Sequence, residues 1–429
     1  MKKPELSKHY QERLPSVIRK AQIAFSDRVD KDLITVINLS IGNVSLPMYP
    51  ALKKRMIELG NTRLSDGVVK YTSTVGTLDA RKAFLNILDA SGLETSDLFV
   101  NITDGGSSSM ELMLLGVNGP SSKKPIMLLD PAYTNYVEFA KRLSVPVITS
   151  RRKINSDGSF KKIDFDKLVT IIKKNSPTAL VVIPYDNPTG QFLPQDTLEE
   201  IARICVENGL WLVSDEAYRP LYYVDDVVSS IWNISEENVP GIRGIRIGIE
   251  SASKVWNACG LRIGGIITDN KDFHARSVNE YTANLCANAL GQEIFGALAD
   301  EPHENINRWF EKQKKYYKSN LQYICDHLEK EIPGLIVTKP EAAIYCIVDF
   351  KNICDNGFDA EDFVHYCATK GKVKIGEIYY TLLLAPMNGF YANPIEGKTQ
   401  LRISMVETED LLRKTPLILS KLYNNYLLL

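Results

Sequence analysis

The chain has 429 residues, with 51 Lys+Arg against 52 Asp+Glu for a net charge of -1, and it is 44% hydrophobic and 24% charged. A near-neutral chain has no long-range field to hold a polyanion or an anionic membrane surface, so a dedicated nucleic-acid binder or membrane-surface protein is excluded as a first reading. Folding a chain of this mass buries about three quarters of its surface, from ~70,000 Å² to roughly 16,500 Å², enough for two or three cored domains.

Met1-Lys2-Lys3-Pro4-Glu5 is followed by no apolar run, and no later stretch reaches the roughly 18 apolar residues of a membrane helix, so a soluble chain is expected. Seven scattered cysteines, at 205, 259, 286, 325, 346, 354 and 367, contain no Cys-x-x-Cys and point to a reducing cytoplasm. Histidines 9, 274, 303, 327 and 365 never fall at i,i+4 spacing, so no metal is expected.

In chain order, short β-branched runs predict strands at Leu98–Thr103, Pro125–Asp130, Val145–Ser150, Ala179–Pro184, Leu210–Asp215, Gly244–Glu250 and Ile263–Thr268. Amphipathic stretches between them include Asp164–Asn175 and Pro194–Asn208, the second opened by Pro-Gln-Asp and closed at Gly209. Such alternation predicts an α/β fold with a mainly parallel, helix-covered sheet of seven strands. From His303 to Lys330 one long charged helix is expected. Shorter strands at Gly334–Thr338, Ala343–Phe350, Lys372–Ile375 and Gln400–Met405 then give a smaller α+β domain. The expected division is 1–50 and 311–429 as two parts of the small domain, with 51–310 as the large one.

Ligands of a doubly wound sheet gather at the carboxyl ends of its strands. There, Asp104-Gly105-Gly106-Ser107-Ser108-Ser109 leads into an apolar helix expected at Met110–Val117, a turn whose free N–H groups suit a phosphate but which also reads as a plain tight turn. Asp130-Pro131-Ala132-Tyr133, Tyr185-Asp186-Asn187-Pro188-Thr189-Gly190 and Ser214-Asp215-Glu216-Ala217-Tyr218 follow three further strands, each open to a turn or helix-cap reading. The Ser251-Ala252-Ser253-Lys254 segment is sharper. A lysine leaves an apolar strand just after two serines, with Arg262 eight residues on, placed to attack a carbonyl as an amine. Six fixed positions of this kind coincide by chance at about 10⁻⁷ to 10⁻⁸ per start site.

With those residues in hand, the chain resembles the class I/II aminotransferases of the fold-type I pyridoxal-phosphate enzymes over nearly its whole length. The ordered set is Asn38-Leu39-Ser40-Ile41-Gly42, Tyr71 with Gly76 and Arg81, Gly105-Gly106-Ser107, Pro131-Ala132-Tyr133, Asn187-Pro188-Thr189-Gly190, Asp215-Glu216-Ala217-Tyr218, Ser-x-Ser-Lys254, and Leu401-Arg402-Ile403-Ser404. The resemblance implies a fold-type I architecture with pyridoxal 5'-phosphate as cofactor. It implies that Lys254 forms the Schiff base and moves the substrate's proton, and that Asp215 pairs with the ring N–H. Asn187 and Tyr218 are implied at the ring's phenolic oxygen and Tyr133 on its face. Gly106, Ser107, Ser108, Ser251, Ser253 and Arg262 are implied around the phosphate, joined by Tyr71 from a neighbouring subunit in a homodimer. Arg402, the backbone of Gly42 and Asn187 are implied at the substrate.

Two departures stand out: Pro184-Tyr185-Asp186 precedes Asn187 where many relatives have a further asparagine, and Glu341-Ala342-Ala343-Ile344-Tyr345 replaces Glu-Gly-Ala-aromatic. The apolar segment Gly376–Pro386 reads as a small-domain loop lining the pocket, or as core or dimer contact. The expected reaction is transamination between an L-amino acid and a 2-oxo acid, with a β- or C–S lyase or a cyclopropane-forming synthase as the alternative within the same residue set. A binding protein that has lost catalysis is disfavoured by the joint presence of Lys254, Asp215, Tyr218 and Arg402. Gly397-Lys398-Thr399 lacks the glycine of a P-loop, since Ala392 stands there, and the mixed charges of Trp309–Lys330 describe a solvated helix.

Overall fold

The computed structural model describes residues 3–355 and 357–428. Its centre is a seven-stranded sheet in the spatial order Phe99–Thr103, Gly264–Thr268, Arg246–Ser251, Trp211–Asp215, Ala179–Val182, Ile126–Asp130 and Val147–Arg151. All neighbours run parallel except Gly264–Thr268, which is antiparallel to both of its partners. The inner strands are buried along their whole length apart from half-buried Trp211, which is why Ile126–Asp130 and Ala179–Val182 read as largely apolar runs without alternation.

The crossover helices start and stop where their sequences say. Asp164 caps Phe165–Asn175 by accepting from the Lys167 N–H, a bond worth about 1 kcal/mol. Gln195–Asn208 ends at Gly209, whose φ of 66° is the left-handed geometry glycine tolerates. The helix expected at Met110–Val117 begins five residues earlier, at Gly105, so the glycine-serine run forms its first turns.

Two smaller sheets stand beside the large one. One places Ile34–Asn38 parallel to Ile378–Leu383, with Val373–Ile375 antiparallel on the far side. The Gly376–Pro386 segment is therefore largely a strand, and the small-domain loop expected there is corrected: its β-branched and aromatic residues suit a strand, and Tyr379 and Tyr380 pair on both edges. The other sheet orders Ala385–Pro386, Gln400–Ser404, Tyr345–Asp349 and Ile336–Val337. The Leu39 N–H bonds the Leu383 carbonyl and the Ser404 N–H bonds the Leu39 carbonyl, so the early segment is stitched between two late strands. The 29-residue helix His303–Glu331 packs on Leu78–Ala90 at one end of the molecule and on Glu409–Tyr426 at the other. Among the described residues no helix is long and apolar enough to cross a membrane.

Candidate active site

The strand ends bring the sequence-predicted residues to one crevice. At the start of Gly105–Val117, Asp104 does not cap the helix: its carboxylate accepts from the Asn288 N–H at 2.8 Å and the Tyr281 hydroxyl at 3.0 Å. The first-turn N–H groups, those of Gly106 and Ser107 included, are thus left without a side-chain cap at the positive end of the helix. Arg262, itself left-handed at φ 53°, lays its guanidinium across this turn, donating to the Cys259 carbonyl at 3.0 Å and toward the Asp104 carbonyl at 3.4 Å. Gly105 is required there: its φ is +76°, and a Cβ would lie 2.5 Å from Arg262 Nη2. Ser251 Oγ donates to Ser253 Oγ at 2.8 Å, and the Ser251 side chain abuts Gly106. Uncapped amides, a guanidinium and two hydroxyls make an anion cradle.

Asp215 ends the neighbouring Trp211–Asp215 strand, paired in register with Ile249, two residues before Ser251. Its buried carboxylate accepts from the Tyr136 hydroxyl at 3.0 Å and the Ala217 N–H at 3.2 Å. Burial pushes its pKa up to about 6, against the pull of those two donors and with a further push from Glu216 and Asp186. Glu216 itself is held by the Ser230 hydroxyl at 2.8 Å and the Ile231 N–H at 3.1 Å, while Arg219 bonds Glu250 at 2.6 Å.

The substrate side is assembled from both ends of the chain. Lys254 Nζ donates to the Gly42 carbonyl in a short contact, and Tyr345 Oη lies against the same glycine, where a Cβ would displace the ends of both side chains. Tyr218 and Tyr345 share a hydrogen bond of 2.5 Å between their hydroxyls; burial and the Tyr345 hydroxyl hold the Tyr218 phenol well above its usual pKa. Buried Arg402 donates to Asn187 Oδ1 at 2.8 Å and to the Ser40 carbonyl at 2.6 Å. Its guanidinium is sandwiched by the Tyr345 and Phe390 rings, 4.5 and 4.9 Å from their centroids, and its Nε is buried with no partner. Tyr133 meets Tyr136 edge-on, and burial raises its pKa with lesser contributions from Tyr345 and Asp215. Arg152 fixes the two loops together, donating to the Pro131 carbonyl at 2.8 Å and pairing with Asp186 at 3.0 Å.

Of the expected residues, Gly106, Ser107, Ser108, Ser251, Ser253 and Arg262 gather at the cradle, Asp215 and Tyr133 lie beside Tyr136, and Gly42, Asn187, Tyr218, Lys254 and Arg402 converge opposite. Tyr71 is not brought there; it is 78% exposed on another face. Sequence reasoning missed Tyr136 and the full part played by Tyr345. The signal for Tyr136 was its place in the first turn of the helix that follows Tyr133 at the strand end.

The model of the family described as Aminotransferase class I and II matches residues 34–414. The chain belongs to that family. It is a pyridoxal-phosphate-dependent aminotransferase of fold-type I, as the sequence resemblance implied. Among relatives, aspartate aminotransferase of Pyrococcus horikoshii is 25% identical over 79% of this chain and 81% of its own. Putative aminotransferase YugH of Bacillus subtilis is 26% identical over 96% and 99%. The structure of aspartate aminotransferase from Thermus thermophilus superposes with a TM-score of 0.79 over 98% of this chain and 100% of its own, at 20% identity. The site suits the cofactor chemically: an uncapped helix start with Arg262 answers a phosphate, buried Asp215 answers a protonated ring nitrogen, and Lys254 supplies the amine.

Proposed function

We propose that this aminotransferase acts on neutral or aromatic L-amino acids and 2-oxo acids, at a site built from the residues gathered above. The observation that carries the reading is Arg402: a buried guanidinium beside two aromatic rings that donates to Asn187 and to the Ser40 carbonyl, two residues before the Gly42 carbonyl that the Lys254 amine meets. A fork of this kind takes a carboxylate bidentately.

When bound, pyridoxal phosphate supplies an electron-accepting ring and a carbonyl that exchanges for an amino group. Gly106, Ser107, Ser108, Ser251, Ser253 and Arg262 would hold its phosphate, Asp215 would keep a proton on its ring nitrogen, and Tyr133 would pack on its face. Asn187 and Tyr218 would donate toward its phenolic oxygen. Arg402 would fix the substrate carboxylate, with Asn187 holding the guanidinium and the Gly42 backbone beside it. That anchor orients the Cα–H bond toward Lys254 Nζ, which would take the proton and return it. The rings of Tyr345 and Phe390 give Arg402 an aromatic surround, a setting that favours uncharged substrate side chains.

A homodimer is part of the proposal. The single chain exposes 19,569 Å², about 3,000 Å² more than a compact monomer of its mass. Val68, Val69, Tyr71 and Leu290 form an exposed apolar patch that a second subunit would cover, bringing Tyr71 to the partner's cradle. A reducing cytoplasm suits the seven free thiols among the described residues.

The test is a screen of amino donors, aspartate and phenylalanine included, against pyruvate and 2-oxoglutarate, following the oxo-acid product and the cofactor's absorbance. Turnover with phenylalanine or leucine and cycling of the amine form supports the proposal. Exclusive use of aspartate refutes the substrate class, and product without cofactor cycling identifies a lyase.

A further inference from the structure

Tyr345 opens the strand Tyr345–Asp349 and is 1% exposed, yet its hydroxyl lies among the catalytic groups. Its Oη meets Tyr218 Oη at 2.5 Å, and the two rings stand edge to face with centroids 5.6 Å apart. The same hydroxyl rests against Gly42, as does Lys254 Nζ. The Arg402 guanidinium lies over the Tyr345 ring, 4.5 Å from its centroid. The Tyr345 carbonyl closes on Gly190, whose φ of 71° and missing side chain let the turn after Asn187 sit there. One residue thus touches the carboxylate clamp, the Asn187 turn and the Tyr218 phenol.

The protons of the tyrosine pair can be counted. Two hydroxyls bring two protons and only one lies between the oxygens, so one is left to give elsewhere. Burial and the Tyr345 hydroxyl hold the Tyr218 phenol well above its usual pKa, so it stays a donor. With the Tyr218 proton given to the cofactor's phenolic oxygen, the proton between the tyrosines comes from Tyr345. Asn187 is arranged alike: Arg402 occupies its Oδ1 at 2.8 Å, which leaves Nδ2 as the donor. Both donors are backed from behind, and the two backing groups, Tyr345 and Arg402, stack on each other. The other titratable groups around the tyrosine pair are Lys254, Tyr133 and, from the helix His303–Glu331, Tyr317.

We propose that Tyr345 is a positioning residue of this enzyme: its hydroxyl donates to Tyr218 and so orients and strengthens the bond that Tyr218 makes to the cofactor's phenolic oxygen. The inference rests on the placing of Tyr218 in the function proposed above. Linked donors polarise one another, so the effect of the Tyr345 hydroxyl is felt at the far oxygen. A stronger donor there stabilises negative charge on that oxygen and weakens its hold on the proton of the lysine-bound cofactor. Removing the Tyr345 hydroxyl therefore raises the pH at which that proton leaves.

Tyr345→Phe keeps the ring on Arg402 and deletes only the hydroxyl, so it is the variant to test. In the cofactor-loaded enzyme, the pH midpoint of the lysine-bound absorbance is expected to rise by about 0.3–1 unit, a fraction of one net hydrogen bond. Tyr218→Phe raises the midpoint further, and Tyr345→Phe adds nothing in the Tyr218→Phe background. An unmoved midpoint in Tyr345→Phe, or the same shift in both backgrounds, overturns the proposal. No shift in Tyr218→Phe itself would take Tyr218 away from the phenolic oxygen, so the placing on which the inference rests would fall and the inference with it. Equilibrium dialysis gives a second measure. On Lys254→Ala protein, Tyr345→Phe is expected to raise the dissociation constant of pyridoxal phosphate about threefold and to leave unchanged that of 3-O-methylpyridoxal phosphate, whose oxygen bears no charge. Equal weakening of the two would make Tyr345 a packing residue and overturn the proposal.

Discussion

Replacing Asp215 by Asn offers a direct measure of what the site costs the fold. The carboxylate is 4% exposed and its pKa is raised from 3.8 to about 6, chiefly by burial. A carboxylate whose folded pKa lies above its unfolded one favours the folded state fully only below the unfolded value. That advantage is lost as pH rises through the folded pKa. Relative to a neutral group, Asp215 therefore penalises folding of the cofactor-free chain by about 1.5 kcal/mol at pH 5 and about 3 kcal/mol above pH 7, the difference of roughly two units at 1.36 kcal/mol each. Asparagine keeps the shape and can still meet the Tyr136 hydroxyl and the Ala217 N–H. Urea unfolding of the cofactor-free proteins from pH 5 to 8 is the assay. Asp215→Asn is expected to be the more stable protein, with a margin that widens as pH rises, while turnover of the loaded enzyme falls sharply. A margin that is absent, or that does not change with pH, would refute the burial argument for this carboxylate.

Lys254→Ala is expected to abolish turnover and the absorbance of the lysine-bound cofactor while leaving cofactor capture at the anion cradle, which equilibrium dialysis reads; unchanged activity would end the assignment. Arg402→Ala removes a charge-assisted fork and should lower kcat/KM by about 10²- to 10³-fold in initial-rate measurements. Arg262→Ala deletes one charged partner of the cradle, so the dissociation constant for pyridoxal phosphate should rise by about 10- to 100-fold, and equal affinity would move the phosphate elsewhere. Tyr71→Ala mixed with Lys254→Ala tests the shared site: heterodimers in which activity returns support it, and mixtures that stay inactive argue for self-contained subunits.

All seven strands of the large sheet were legible, because each is a short run rich in apolar and β-branched residues set between turn or helical patterns. The strand Ile34–Asn38 was not read as one. Its burial pattern is mixed, and its pairing partner, Ile378–Leu383, lies some 340 residues away where local patterning carries no information. The start of Gly105–Val117 was missed for a related reason: glycine and serine are poor helix formers, and their first turn is held in place by Arg262 and the sheet. Individual residues such as Lys254, Asp215 and Arg402 were recognisable from ordered motifs. What joins them was not, since the Tyr136–Asp215 and Tyr218–Tyr345 bonds depend on how strands and helices are stacked.

The stitching of the early segment between late strands has a consequence for synthesis. A ribosome delivers Ser40 and Gly42 long before Arg402, so a nascent chain carries Ile34–Asn38 as an unpaired edge for most of its elongation. The strands of the large sheet are all made once Gly264–Thr268 has emerged, whereas Arg402 can meet the Ser40 carbonyl only after Gln400–Ser404 has been made. Fragments released before Ile378–Leu383 is made thus leave Ile34–Asn38 without its pairing strand and free to adhere to other edges.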